Sequence, residues 1–396
     1  MKNENLKNQI IDLAKKNLPE IIEWRRHIHS NPELSFKEYK TTDYIEFNLR
    51  KLGVTKIEKI TETGLVALIE GKNPNSVVRA LRADIDALPI TEINTVDYKS
   101  SCDGIMHACG HDAHTASLLG TAAILMALKD QLIGSVKLIF QPAEEKMPGG
   151  ASTMIKNGVL SNPSVKNMLG HHVYPFLKAG QLGFKKGMYM ASCDEIYIEV
   201  KGKGGHAALP EKNIDTVLVA SQVVVSLQQI VSRRASPKDP TVLSIGKFIA
   251  NGATNVIPSS VFLEGTFRAM NEKWRAEALD LIHEITQNIC KAYGAEAEVK
   301  IVKGYPYLEN HPELTDEIRT LAEEFVGKEN VVDLEIWMGA EDFSYYTHEV
   351  PACFYRFGTS SPSGDFNLPV HTANFNIDEN ALQTSAGFMA YTILVN

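Results

Sequence analysis

The sequence predicts an α/β fold interrupted by a smaller α+β unit, and three observations lead there. The chain has 396 residues, which suggests two or three domains at about 150 residues each. Up to about residue 188, apolar strand-like runs alternate with helical segments, the pattern of a largely parallel sheet covered by helices. From there to about residue 303, the strands switch to period-two alternation, as in antiparallel sheets with one solvated face. The α/β style then resumes, so boundaries are expected at 1–188, 189–303 and 304–396.

Each element has a local reason. NLKNQIIDLAKKNLPEIIEWRRHIH keeps apolar residues three and four apart, which predicts a helix over 6–29 that Asn31-Pro32 stops. TTDYIEFNLRKLG is a second amphipathic helix, closed by Gly53. GLVALIEG, SVVRALRADIDALPI and GSVKLIFQP read as buried strands, the last ended by Pro142. HTASLLGTAAILMALKD is apolar nearly all round and predicts a buried helix. DEIYIEVKGKGG opens the middle segment. A helix follows with Asp215 as its cap, then the strands TVLSIGKFIANG and SSVFLEGTFRAM. The helix EKWRAEALDLIHEITQNICKAYG and the strand AEAEVKIVKG complete it. That order is β-α-β-β-α-β. PELTDEIRTLAEEFVG is a later helix of the resumed α/β part.

Composition bounds the function. The apolar fraction is 44% and the net charge −8, with no long Lys/Arg run. Nucleic acid and anionic membranes attract clustered positive charge, so neither is an expected partner. No apolar run reaches the roughly 18 residues of a membrane span, and the polar N-terminus does not read as a signal peptide. Five scattered cysteines do not read as a disulfide framework. A reduced, cytoplasmic protein is expected.

Chemistry concentrates in Met106–His114, MHACGHDAH, which holds three of the twelve histidines and one cysteine. Other polar clusters also fall where strands end, where open α/β sheets place their sites. They are Asp84 and Asp86, which share a face if the strand persists, QPAEE with Glu144 and Glu145, LGHHVYP with His171 and His172, MGAEDFSYY with Glu341 and Asp342, and LPVHTANF with His371. Singly, most read as structural: Asp112 as a helix cap, the glutamates as solvated. Together, a thiol, several imidazoles and several carboxylates make the inventory of a transition-metal site. Adjacent strand residues face opposite ways, so Glu144 and Glu145 reach one site only from an irregular turn, which Pro142 favours.

In this order RADIDALP, MHACGHDAH, FQPAEE, GHHVYP, GKGGHAALP, NVIPSSVFLEGTFR, MGAEDFSYY and the late His371 resemble the M20 metallopeptidase family, in its aminoacylase-like amidohydrolase branch. The resemblance covers about residues 20 to 390. It implies a zinc-peptidase-like catalytic domain with an inserted ferredoxin-like lid that makes a homodimer, and two divalent ions per chain: zinc, manganese, nickel or cobalt. It implies the ligands Cys109, His111, Glu145, His172 and His371, with Glu144 as general base and Asp86 orienting a ligand. His206 matches a lid histidine that steadies the oxyanion, often from the partner subunit. Asn255 and Arg268 match the groups that hold the substrate carboxylate. Many relatives of the wider family place a histidine where Asp84 stands. His171 is expected to be structural, and Asp112 and His114 to support the loop and helix start.

The implied function is hydrolysis of N-acyl amino acids (N-acetyl, N-benzoyl or similar) by metal-activated water. A dipeptidase or carboxypeptidase with the same site is the first alternative, and an inactive metal-stabilised binding protein a second. Glu144 argues against the last, since a structural site needs no non-ligating carboxylate.

Overall fold

The structure is a computed structural model that describes residues 2–361, 363 and 366–395. The chain divides into two compact units: Met1–Gly187 with Glu309–Glu335 and Asp342–Asn396, and Met188–Leu308 with Ile336–Glu341.

The first unit is built on an eight-stranded sheet. Its order is Lys56–Lys59, Leu65–Glu70, Ser135–Gln141, Val78–Asp84, Asn167–Lys178, Ala352–Ser360, Leu182–Phe184 and Val331–Asp333. The expected largely parallel sheet is in fact mixed. Four adjacent pairs are parallel and three antiparallel. Connection length accounts for one of the three antiparallel pairs: the short link between Lys59 and Leu65 allows a hairpin, whereas a parallel crossover needs a dozen residues or more.

Helices Lys2–Ser30, His111–Ala127 and Ala381–Val395 pack on one another. From His111 to Leu125 every residue of the second is buried, as its all-round apolarity requires. Gly120 permits the close approach: a Cβ there would meet Ile21 Cδ1 at 2.5 Å and Ala386 Cβ at 3.0 Å. The helix expected over 6–29 runs from Lys2 to Ser30, and Tyr39–Lys51 is followed by Gly53 at φ 88°.

The second unit has a four-stranded antiparallel sheet in the order Thr241–Ile249, Ser260–Ala269, Asp194–Lys201 and Glu296–Lys303. Ile196, Ile198, Val200, Val261, Leu263 and Phe267 pack with helices Thr216–Gln229 and Glu272–Ala292. Asp215 caps the first helix, accepting from the N–H groups of Val217 and Leu218 at 3.0 Å. Such a cap contributes about 1 kcal/mol. Among the described residues, no helix is long and apolar enough to cross a membrane. All five cysteines are free.

Candidate metal centre

The site in the first unit grows from strand ends. Strand Val78–Asp84 stops at Asp84, so Asp84 and Asp86 do not share a continuous strand face and serve different partners. Asp86 is 1% exposed and gathers four donors: His111 Nδ1 at 3.1 Å, Ser35 Oγ at 2.6 Å, and the backbone N–H groups of Glu144 at 3.1 Å and Glu145 at 3.0 Å. Burial alone would raise its carboxyl pKa, but the bonds from His111 and Ser35 and the charge on His111 lower it. The glutamates do come from an irregular turn, in which Ala143 has φ 52°. Asp86 clasps that turn by two successive N–H groups, which fixes the backbone without using either glutamate side chain.

Gly110 adopts φ 83° ahead of helix His111–Ala127, and a Cβ there would meet Val173 Cγ2 at 2.7 Å. This is a glycine required twice, by conformation and by space. Cys109 and His111 on either side are both buried. His371 has φ 64° and is tethered by its N–H to the Ala108 carbonyl at 2.7 Å.

The tautomers decide what the site can hold. His172 donates from Nδ1 to the Val173 carbonyl at 2.8 Å, so its Nε2 presents a lone pair, 3.3 Å from Cys109 Sγ. His371 Nε2 lies 3.3 Å from the same sulfur and 3.1 Å from Glu145 Oε1. His111, held through Nδ1 by Asp86, keeps a buried Nε2 with no hydrogen-bond partner, 3.9 Å from Glu145 Oε1. Lone pairs of sulfur, nitrogen and oxygen thus converge in a space that is buried at Cys109, His111 and His172 and opens at the exposed His371, and its buried part is stable only around protons or cations. Three groups have their ligand atoms within 4.8 Å of one another: Cys109 with His111 and His172, Cys109 with Glu145 and His371, and His111 with Glu144 and Glu145. Thiolate, imidazole and carboxylate donors suit a transition ion, so these residues fit a metal.

In another group, Asp84 with His111 and His114, Asp84 and His114 satisfy each other. His114 Nδ1 bonds Asp84 at 2.5 Å, and His114 Nε2 accepts from Val173 N–H at 2.9 Å. Asp112 caps nothing. Its carboxylate takes Arg25 Nε at 2.7 Å and His29 Nδ1 at 2.8 Å, and these charges hold its carboxyl far below the usual range despite burial. His171 faces away from the site and bonds Ser385 Oγ at 3.0 Å through Nδ1.

These groups could hold metal, and the chain's relatives identify its family. Residues 80–395 match peptidase family M20/M25/M40. The chain belongs to that family. It is therefore a metal-dependent hydrolase. N-acyl-L-amino acid amidohydrolase of Geobacillus stearothermophilus is 41% identical over 78% of this chain and 82% of its own. Thermostable carboxypeptidase 2 of Saccharolobus solfataricus is 38% identical over 97% and 98%. A crystal structure from Bacillus subtilis, described as a dinuclear metal-binding peptidase from the M20 family, superposes with a TM-score of 0.82. It is 34% identical over 96% of this chain and 98% of that one.

In this M20 chain the second unit holds the other three expected residues. His206 and Asn255 neighbour each other: His206 pairs with Val256 in a short ladder, and Ala207 N–H donates to the Asn255 carbonyl at 3.0 Å. Both side chains are exposed. Arg268 lies on strand Ser260–Ala269, on the face with Phe262, Glu264 and Thr266, opposite the packed residues Val261, Leu263 and Phe267.

Sequence reasoning missed Arg25, His29 and Arg82 as parts of the site's support. Their signal was present: each is a charged or polar side chain at a position its helix or strand buries.

Proton release on metal binding is a measurable consequence. Burial opposes a charge on His111, but Asp84, Asp86 and Glu145 outweigh it and push its pKa up to about 10. Burial, then Glu145 and Glu144, push the Cys109 thiol well above its usual range. At pH 7 both groups carry protons that a bound ion must displace, so metal loading should release about two protons per chain and tighten as pH rises. Calorimetry in buffers of different ionisation heat reads this directly; a buffer-independent heat would contradict it.

Proposed function

We propose that this M20 hydrolase cleaves N-acyl amino acids to a carboxylate and a free amino acid, using two divalent ions. Cys109, His111, Glu145, His172 and His371 are the ligands in this reading. The supporting observation is the set of converging lone pairs with one further carboxylate, Glu144, beside them. Bound there, the ions supply a water of lowered pKa and polarise the amide carbonyl. Glu144 takes the proton from the attacking water and returns it to the leaving nitrogen. His206 donates to the oxygen of the tetrahedral intermediate. Arg268 and Asn255 hold the substrate's free carboxylate, for which a planar guanidinium offers a bidentate grip that lysine lacks.

The second unit is read as a lid inserted into the catalytic chain and as the dimerisation surface. Its β-α-β-β-α-β order between two segments of the first unit supports the insertion. A carboxypeptidase is the second reading, favoured by the relative of that name. Either substrate presents a free carboxylate beside the scissile amide, so Arg268 serves both.

The test is kcat/KM for an N-acetyl amino acid, its carboxamide and a dipeptide, in wild type and Arg268→Ala. The N-acyl amino acid should be preferred, and the variant should lose most of the advantage of the free acid over its amide. A dipeptide preferred by wild type would favour the carboxypeptidase. An unchanged acid-to-amide ratio would remove Arg268 from the carboxylate.

A further inference from the structure

We infer that Asp342, Arg82, Asp84 and His114 form a buried relay whose task is to position His172, beside whose ring that of His114 also packs, with centroids 4.6 Å apart. This rests on the reading of His172 as a ligand. All four members are fully buried. Asp342 Oδ2 accepts from the Ala151 N–H at 2.9 Å, and its Oδ1 from Arg82 Nη2 at 2.7 Å. Gln141 donates to both oxygens of Asp342 at 2.8 Å and accepts from Arg82 Nε at 2.9 Å. Arg82 Nη1 donates to Asp84 Oδ2 at 2.6 Å. Asp84 Oδ1 bonds His114 Nδ1 at 2.5 Å.

The last link fixes the direction of the whole chain. A backbone N–H can only donate, so His114 Nε2, 2.9 Å from Val173 N, must be an acceptor. The ring proton is then on Nδ1 and goes to Asp84. Val173 needs this partner. Strand Val78–Asp84 lies beside strand Asn167–Lys178, and their register runs only as far as Arg82 opposite Gly170. His114 therefore takes the place of a strand that has ended. The carbonyl of the same Val173 receives His172 Nδ1 at 2.8 Å, the bond that turns His172 Nε2 toward Cys109. One residue thus has its N–H held by the relay and its C=O holding the ligand.

With one oxygen on Arg82 and the other on His114, Asp84 is an anchor for the ligand strand.

Two substitutions at one position separate this role from simple support of the buried Asp84. His114→Asn keeps a donor where Nδ1 stood and loses the acceptor for Val173. His114→Gln keeps an acceptor where Nε2 stood and loses the donor to Asp84. Positioning requires that Asn, and not Gln, weakens one metal equivalent, by the 10–100-fold common for groups that orient a ligand. The thiolate-to-cobalt absorption of the cobalt-loaded protein should change in the same variant. Both are read by chelator competition on metal-stripped protein, beside the melting temperature of each metal-free variant. Equal loss of affinity in the two variants, or wild-type affinity in Asn, overturns the relay. A wild-type nitrogen NMR measurement decides independently of how the variants fold. His114 must show the Nδ1–H tautomer with coupling from the Val173 amide to Nε2, and an Nε2–H tautomer ends the proposal. If wild type binds no metal, the metal-centre reading falls first, and the relay is judged by that tautomer alone.

Discussion

Glu144→Gln is expected to leave the fold and the bound metal in place and to lower kcat by about 10²–10⁴-fold, the usual cost of losing a general base. The backbone of Glu144 is fixed by Asp86, 3.1 Å from its N–H, so the turn does not depend on the side chain. Glu144 is 7% exposed, and Gln fills the same volume without leaving a cavity. What disappears is the ability to take up and return a proton. Because that ability matters only during the reaction, kcat and kcat/KM should fall together with KM nearly constant. Metal content separates Glu144 from Glu145. The two are adjacent and both lie within reach of His111, but only loss of a ligand empties the site. Glu144→Gln with two ions and little activity is the expected outcome. Activity within a few-fold of wild type would require another base, and lost metal would exchange the roles of the two glutamates.

Much of this candidate site was legible because residues able to bind metal are scarce types placed where strands end. MHACGHDAH stood out by composition, and the pair Glu144–Glu145 by its conflict with strand alternation, which Ala143 at φ 52° resolves. Other features were not readable for physical reasons. The hydrophobic pattern of Leu65–Glu70 reports burial and says nothing of strand direction, so the mixed sheet was hidden. The alternation of Asp84 and Asp86 assumed a strand that stops at Asp84. Asp112 read locally as a cap, yet its partners Arg25 and His29 lie more than eighty residues away in sequence. The tautomer of His114 depends on a backbone N–H of another strand, which no local pattern encodes.

Asp86→Ala is expected to damage stability, metal binding and catalysis together, because one carboxylate serves all three. Removing it leaves the N–H groups of Glu144 and Glu145 without their acceptor. It also frees His111 Nδ1, whose bond to Asp86 sets which ring nitrogen faces the ion. Loss of one member of a buried charged set costs about 3–5 kcal/mol, and loss of the ligand's orienting partner about 10–100-fold in metal affinity. Activity should fall further than either alone, since Glu144 loses its fixed backbone in the same step. The pH dependence has a definite sign. The folded-state pKa of Asp86 is lowered, so its stabilisation is present above the ordinary carboxylate pKa of about 3.9 and is lost as pH falls through the lower folded value. The stability gap between wild type and Asp86→Ala, measured by denaturant titration of metal-stripped proteins, should therefore be full at pH 6–7 and shrink below about pH 4. Asp86→Asn should recover part of the gap, as its single amide oxygen can accept from one of the two backbone donors. A gap that is absent at pH 7, or constant down to pH 3, would mean that the turn bearing the two glutamates holds itself without Asp86.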